Sequence, residues 1–211
     1  MSNDSGPAGA VRRIGVFGGT FDPFHIGHLA AAREATKAFD LDRVLFVPTG
    51  APWQKARYSP AEDRFLMTVL GTAEDESFAV SRMEIDRDGP TYTADTMEHL
   101  RSFYGSATEL LFIAGADAVL NLGSWIGLDR LARLASVVAV HRPGFDVAKL
   151  RVEPEWPPVR LLEMPGVDVS STEIRTRVAR GERVDDVVPA GVMSYIRARR
   201  LYITHAEAAG A

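Results

Sequence analysis

Short, uninterrupted apolar runs alternate along this chain with longer stretches in which apolar residues recur at helical spacing. Arg13-Ile14-Gly15-Val16-Phe17, ended by Gly18-Gly19, predicts a buried strand running into a turn. Ile26, Leu29, Ala30, Ala35 and Phe39 predict a helix, with Asp40 and Asp42 just beyond it. Val44–Val47 predicts the next strand, stopped by Pro48, and a Gly/Pro-punctuated loop then runs from Thr49 to Pro60. Pro60 suits the first turn of a following helix whose Phe65, Leu66, Val69 and Leu70 share one face. Phe78–Ile85 reads as a third strand, broken by Gly89-Pro90, and Thr93–Phe103 as a helix. Glu109–Ala114 is a strongly apolar strand ending at Gly115, with a short helix behind it. A helix closing over Leu131–Leu134, strands over Ser136–Val140 and Val159–Met164, and helices over Ser171–Ala179 and Met193–Arg200 complete the series.

Strands that are continuously apolar are buried on both faces, and helices between them call for parallel pairing. The predicted fold class is therefore α/β: a single-domain, doubly wound (Rossmann-like), mostly parallel sheet with helices on both faces. Residues 1–11 and 205–211, poor in large apolar side chains, read as flexible tails around one domain over 12–204. Pro154-Glu155-Trp156-Pro157-Pro158 resembles a linker, but the chain beyond it is too short for a second domain.

Composition narrows the classes. The 211 residues are 46% hydrophobic and 25% charged, a globular balance. With 24 Lys+Arg against 28 Asp+Glu the net charge is −4, which argues against a general nucleic-acid coat. There are no cysteines, so disulfides, thiolate zinc sites and cysteine nucleophiles are excluded. No apolar run approaches a membrane span, and Met1–Ala10 lacks the apolar region of a signal peptide. A soluble, cytoplasmic protein is expected, with homo-oligomerisation left open.

Chemistry concentrates where the first strand ends, in Gly18-Gly19-Thr20-Phe21-Asp22-Pro23-Phe24-His25-Ile26-Gly27-His28. Glycines after a buried strand let backbone approach a ligand, and the following helix offers unpaired N–H groups to an anion. His25 and His28 stand three apart and share a helical face, where their rings can donate to phosphate oxygens. The alternatives are a zinc pair, weakened by the lack of a nearby third ligand, or two surface histidines. A second segment, Val169-Ser170-Ser171-Thr172-Glu173-Ile174-Arg175, is a capping box by its Ser170 and Glu173. It also sets the Ser171 hydroxyl and the Arg175 cation on one face beside a helix N-terminus. Together the two segments make a triphosphate clamp.

Gly18–His28 resembles the signature of the nucleotidyltransferase superfamily with a His-x-Gly-His core, and Val169–Arg175 is similar to its second motif. Three further blocks resemble the nicotinate-nucleotide adenylyltransferases: Pro48–Lys55, Gly89–Thr96, and Gly115-Ala116-Asp117-Ala118 with Trp125. Tyr195-Ile196 and Leu201-Tyr202 resemble that family's closing helix. One position departs from the pattern: Gln54 stands where relatives often carry a histidine before the loop lysine.

The resemblance implies adenylyl transfer from ATP to nicotinate mononucleotide in NAD biosynthesis, with pyrophosphate released. It implies His25, His28 and Arg175 as catalytic residues on the phosphates. Gly18, Gly19, Thr20, Phe21, Asp117, Ser171 and Thr172 would bind ATP. Lys55, Thr91, Tyr92 and Trp125 would bind the second substrate. Read from the residues alone, Trp125 is equally a core tryptophan, Thr91 or Thr93 an N-cap, Asp117 a helix cap and Lys55 a solvated lysine. The expected cofactor is Mg²⁺, carried by ATP phosphates and water, with no protein metal ligand. The expected partners are ATP and nicotinate mononucleotide, not nucleic acid or membrane. Rivals are a pantetheine-phosphate adenylyltransferase, a cytidylyltransferase, or a non-catalytic nucleotide-sensing module.

Overall fold

A computed structural model describes residues 12–50, 58–164, 166–167 and 169–203. Six strands form one parallel sheet: β1 (Arg13–Gly19), β2 (Arg43–Pro48), β3 (Phe78–Val80), β4 (Glu109–Gly115), β5 (Ser136–His141) and β6 (Val159–Glu163), in the spatial order β3-β2-β1-β4-β5-β6. Seven α-helices accompany them among the described residues: α1 (Ile26–Phe39), α2 (Ala61–Thr72), α3 (Thr93–Tyr104), α4 (Ala116–Val119), α5 (Leu128–Leu134), α6 (Ser171–Ala179) and α7 (Ala190–Arg199). This is the doubly wound α/β fold expected from the apolar runs.

Each central strand feeds two cores, because successive side chains point to opposite faces. Phe17, Phe46 and Ile113 pack with Ala31, Ala35, Met67, Ile174 and Ile196 of α1, α2, α6 and α7. Val16, Leu45, Leu110 and Phe112 pack with Met97, Leu100, Val119 and Leu131 of α3, α4 and α5. The chain winds outward from β1 to β3, then restarts at β4 on β1's other side. Between the carboxyl ends of β1 and β4 the strand order switches, and that crevice is where such sheets bind ligands.

Two elements differ most from expectation, and α7 also begins at Ala190 rather than at Met193. The third strand ends at Val80 rather than Ile85: after Ser81 N–H bonds Phe46 O at 2.9 Å, the Arg82 carbonyl takes both Ile85 N–H (2.8 Å) and Asp86 N–H (2.9 Å) and turns the chain. In α2 the face carrying Leu66, Val69 and Leu70 is the exposed one, whereas Asp63, Arg64, Thr68 and Thr72 are buried. Those polar groups are tolerated because they are bonded. Asp63 Oδ1 accepts from Tyr195 OH (2.7 Å) and Arg199 Nε (3.2 Å), and both threonines donate one turn back to the helix carbonyls.

Candidate active site

A cleft of about 1030 Å³ opens at the switch point, lined by the loops after β1, β4 and β5 and by the start of α6. Of the residues expected in the site, Gly18, Gly19, Thr20, Phe21, His25, His28, Thr91, Tyr92, Asp117, Trp125, Ser171, Thr172 and Arg175 all line it. Lys55, and Gln54 before it, lie outside the described residues.

The histidines are set by the start of α1. His25 is its N-cap, with extended backbone (φ −146°, ψ 171°), and its ring stacks on His28 with centroids 3.7 Å apart. Gly27 permits this: a Cβ there would stand 3.0 Å from the His25 ring and 3.1 Å from Val169. His25 N–H donates to His28 Nδ1 at 3.2 Å. With Nδ1 accepting, the His28 proton belongs on Nε2, so the ring is a neutral donor. Phe17, Phe21 and Phe24 surround it, with ring centroids 5.0 to 6.1 Å away. Burial, and then the neighbouring Arg142 charge, lower the His25 pKa to about 4; burial and His25 hold that of His28 well below its usual value.

This arrangement gives acid conditions a predictable effect. A histidine whose pKa is lowered by folding takes up its proton more readily in the unfolded chain. Stability is then present above about pH 6.5 and is lost as pH falls toward the folded value. For His25 that window runs from 6.5 to about 4, and the loss approaches about 3 kcal/mol. Thermal melts of the wild type therefore decline steeply across this window, and His25→Gln flattens the slope; parallel pH profiles for the two would contradict the assignment.

The second segment meets the first. Ser170 Oγ accepts from Glu173 N–H at 3.1 Å, so the N-cap half of the expected box is present. Ser171 Oγ donates to Pro23 O (3.0 Å), and Arg175 Nη1 donates to Asp22 O (2.6 Å) while Nη2 donates to Thr172 Oγ1 (3.1 Å). Ser171 thus spends its proton on the β1–α1 loop, binding α6 to it. One edge of the Arg175 fork does the same.

On the opposite wall, Asp117 is exposed in the first turn of α4, beyond the carboxyl end of β4. Trp125 is half-buried and meets Phe112 edge-on at 5.7 Å, so it is both a packing residue and part of the cleft. Tyr92, not Thr91 or Thr93, is the N-cap of α3. Thr91 is buried beside Glu84, a carboxyl that accepts from Thr96 Oγ1 at 2.7 Å and whose pKa burial raises.

Several residues beyond those expected belong to this neighbourhood. Asp22 is buried, its carboxylate accepting from Tyr202 OH (2.6 Å) and Ser59 N–H (3.1 Å). Arg64 is buried with its guanidinium on backbone carbonyls. Arg142 donates to Val169 O at 2.6 Å, and His141 stacks on Phe145 at the cleft wall. Asp22 stood inside the Gly18–His28 segment without a role assigned to it; Arg64, His141 and Arg142 have no local sequence pattern that marks them.

A cytidylyltransferase-like family model matches residues 16–177. A relative from Leifsonia xyli subsp. xyli is 52% identical over 190 residues, 90% of this chain and 94% of the relative. One from Salinispora arenicola is 51% identical over 187 residues, 88% of this chain and 98% of the relative. Both bear the name "Probable nicotinate-nucleotide adenylyltransferase". The chain belongs to the nicotinate-nucleotide adenylyltransferase family. Solved structures agree on the fold of this adenylyltransferase family member: Plasmodium falciparum nicotinic acid mononucleotide adenylyltransferase complexed with NaAD superposes with a TM-score of 0.75 at 18% identity, covering 90% of this chain and 97% of that one. The same Plasmodium protein complexed with APC gives a TM-score of 0.70 at 16% identity, with the same coverage of both chains.

Proposed function

We propose that this chain, a nucleotidyltransferase, transfers the adenylyl group of ATP to nicotinate mononucleotide, yielding nicotinate adenine dinucleotide and pyrophosphate. The observation that carries the reading is the docking of the α6 start onto the β1–α1 loop, which gathers two histidines, a hydroxyl and a guanidinium at one cleft. The names of the relatives support the choice of acceptor.

In this mechanism a phosphate oxygen of the mononucleotide attacks the α-phosphorus in line as the bond to pyrophosphate breaks. The nucleophile is already ionised near neutrality, so no protein base or covalent intermediate is needed. Catalysis is positioning plus stabilisation of charge on the phosphates. His25 and His28 hold the ATP phosphates, with His28 donating through Nε2. Arg175 and Thr172 close from α6, and Gly18, Gly19, Thr20 and Phe21 present backbone beneath them. Asp117 accepts from ribose hydroxyls. Trp125 faces the nicotinate ring, the Thr91–Tyr92 backbone takes its carboxylate, and Lys55 takes the mononucleotide phosphate. Mg²⁺ neutralises triphosphate charge when bound. The cleft's donor-rich lining suits a cation carried by phosphate and water, and we assign it no side-chain ligand. We place the reaction in the cytoplasm; among the described residues no helix is long and apolar enough to cross a membrane.

An acceptor panel tests this. Pyrophosphate release from ATP is expected with nicotinate mononucleotide and not with phosphopantetheine. Turnover with phosphopantetheine alone would reassign the acceptor, and ATP binding without any pyrophosphate release would favour a sensor.

A further inference from the structure

Arg64 is a cation on α2 with 1% of its surface exposed, and its fork reaches three different segments. Nε donates to Ser59 O (3.1 Å), Nη1 to Thr20 O (3.0 Å) and Nη2 to Gly50 O (3.0 Å). Burying a guanidinium is expensive unless its hydrogens are satisfied, and its planar fork presents three separate nitrogens to carbonyls on three segments. Ser59 is held at its other backbone group too, its N–H going to Asp22 Oδ2 at 3.1 Å. Thr20 and Asp22, both in the loop after β1, are thereby fastened to one fixed point.

The Thr20 carbonyl matters because of what it orients. In a planar trans peptide, C=O and the next N–H point in opposite directions. With Thr20 O turned onto Arg64, the Phe21 N–H points away from α2. Phe21 lines the cleft, is 1% exposed, and holds a left-handed φ of 50°, which is strained for a side-chain-bearing residue. Among the described residues its N–H has no hydrogen-bond acceptor. Orphaned buried amides are rare. We propose that Arg64 is a positioning residue: by fixing the Thr20–Phe21 peptide plane it offers the Phe21 N–H to a phosphate oxygen of the nucleotide. The inference rests on the proposed nucleotide binding but needs no acceptor substrate.

The test compares Arg64→Lys and Arg64→Gln with wild type, well below their melting temperatures. Calorimetry with ATP and with adenosine gives the decisive readout. ATP affinity is expected to fall at least tenfold in both variants while adenosine affinity stays within threefold, since only ATP reports the loop's hold on phosphate. Equal weakening for both ligands, or no weakening for either, overturns the proposal. Should neither variant fold, the wild type decides: titration with pyrophosphate is expected to shift the Phe21 amide proton downfield in NMR, and an unmoved resonance overturns the proposal. Failure of nicotinate mononucleotide to turn over would instead remove the acceptor assignment and leave this comparison readable.

Discussion

His28→Ala is expected to lower kcat/KM by roughly 30- to 1,000-fold, the cost of losing about 2–4 kcal/mol of transition-state stabilisation. The tautomer is the starting point. His28 Nδ1 is occupied by His25 N–H, so Nε2–H is its single free donor. Its ring is kept neutral by burial and by His25, so in the proposed role it offers that donor as a neutral imidazole. Truncation also empties space among Phe17, Phe21 and Phe24, so the melting temperature falls as well. His28→Phe separates the effects, because it refills the aromatic nest while removing the donor. Steady-state kinetics should show the same loss in both variants, with the smaller melting shift in the phenylalanine one. Near-wild-type kcat/KM in His28→Phe would remove His28 from the chemistry.

The parts of this molecule that were legible in the sequence are those whose causes are local. α1 and α6 begin and end where periodicity and capping residues place them, and β1, β2, β4 and β5 are apolar on both faces. The histidine loop is one contiguous segment, so its motif could be read directly even though distant residues hold it in place. What escaped was held by distant partners. The Arg64 fork spans 5, 14 and 44 positions, and Tyr202 reaches Asp22 across 180. The inverted face of α2 has the same origin: Asp63 and Arg64 are buried because Tyr195, Arg199 and three carbonyls await them, which no periodicity within the helix announces. The third strand shortened for a related reason, since residues after Ser81 trade sheet bonds for a turn on the Arg82 carbonyl and Glu84 swings in toward Thr96.

Arg175→Ala is expected to cost as much activity as His28→Ala, roughly 30- to 1,000-fold in kcat/KM, with little change in stability. Its side chain is half-buried, and within the described residues its hydrogen bonds go to the Asp22 carbonyl (2.6 Å) and the Thr172 hydroxyl (3.1 Å). Losing two such bonds near solvent destabilises the fold by only about 1–2 kcal/mol. Under the proposed mechanism the loss is double: the cation assigned to the phosphates disappears, and so does one of the two bonds that draw α6 onto the loop carrying Asp22 and Pro23. Arg175→Lys isolates the second function. An ammonium keeps the charge but is a point donor, unable to hold the Asp22 carbonyl and the Thr172 hydroxyl in the flat geometry of a guanidinium. We expect lysine to restore no more than about tenfold of the activity lost in alanine, which is about 1.4 kcal/mol. Full restoration by lysine would mean that positive charge alone suffices and that the loop needs no tether from Arg175. Ser171→Ala completes the comparison, because its hydroxyl anchors the same loop at Pro23 without bringing charge. If tethering matters, Arg175→Lys and Ser171→Ala together are worse than the product of their separate effects, since each single variant leaves the other tie in place.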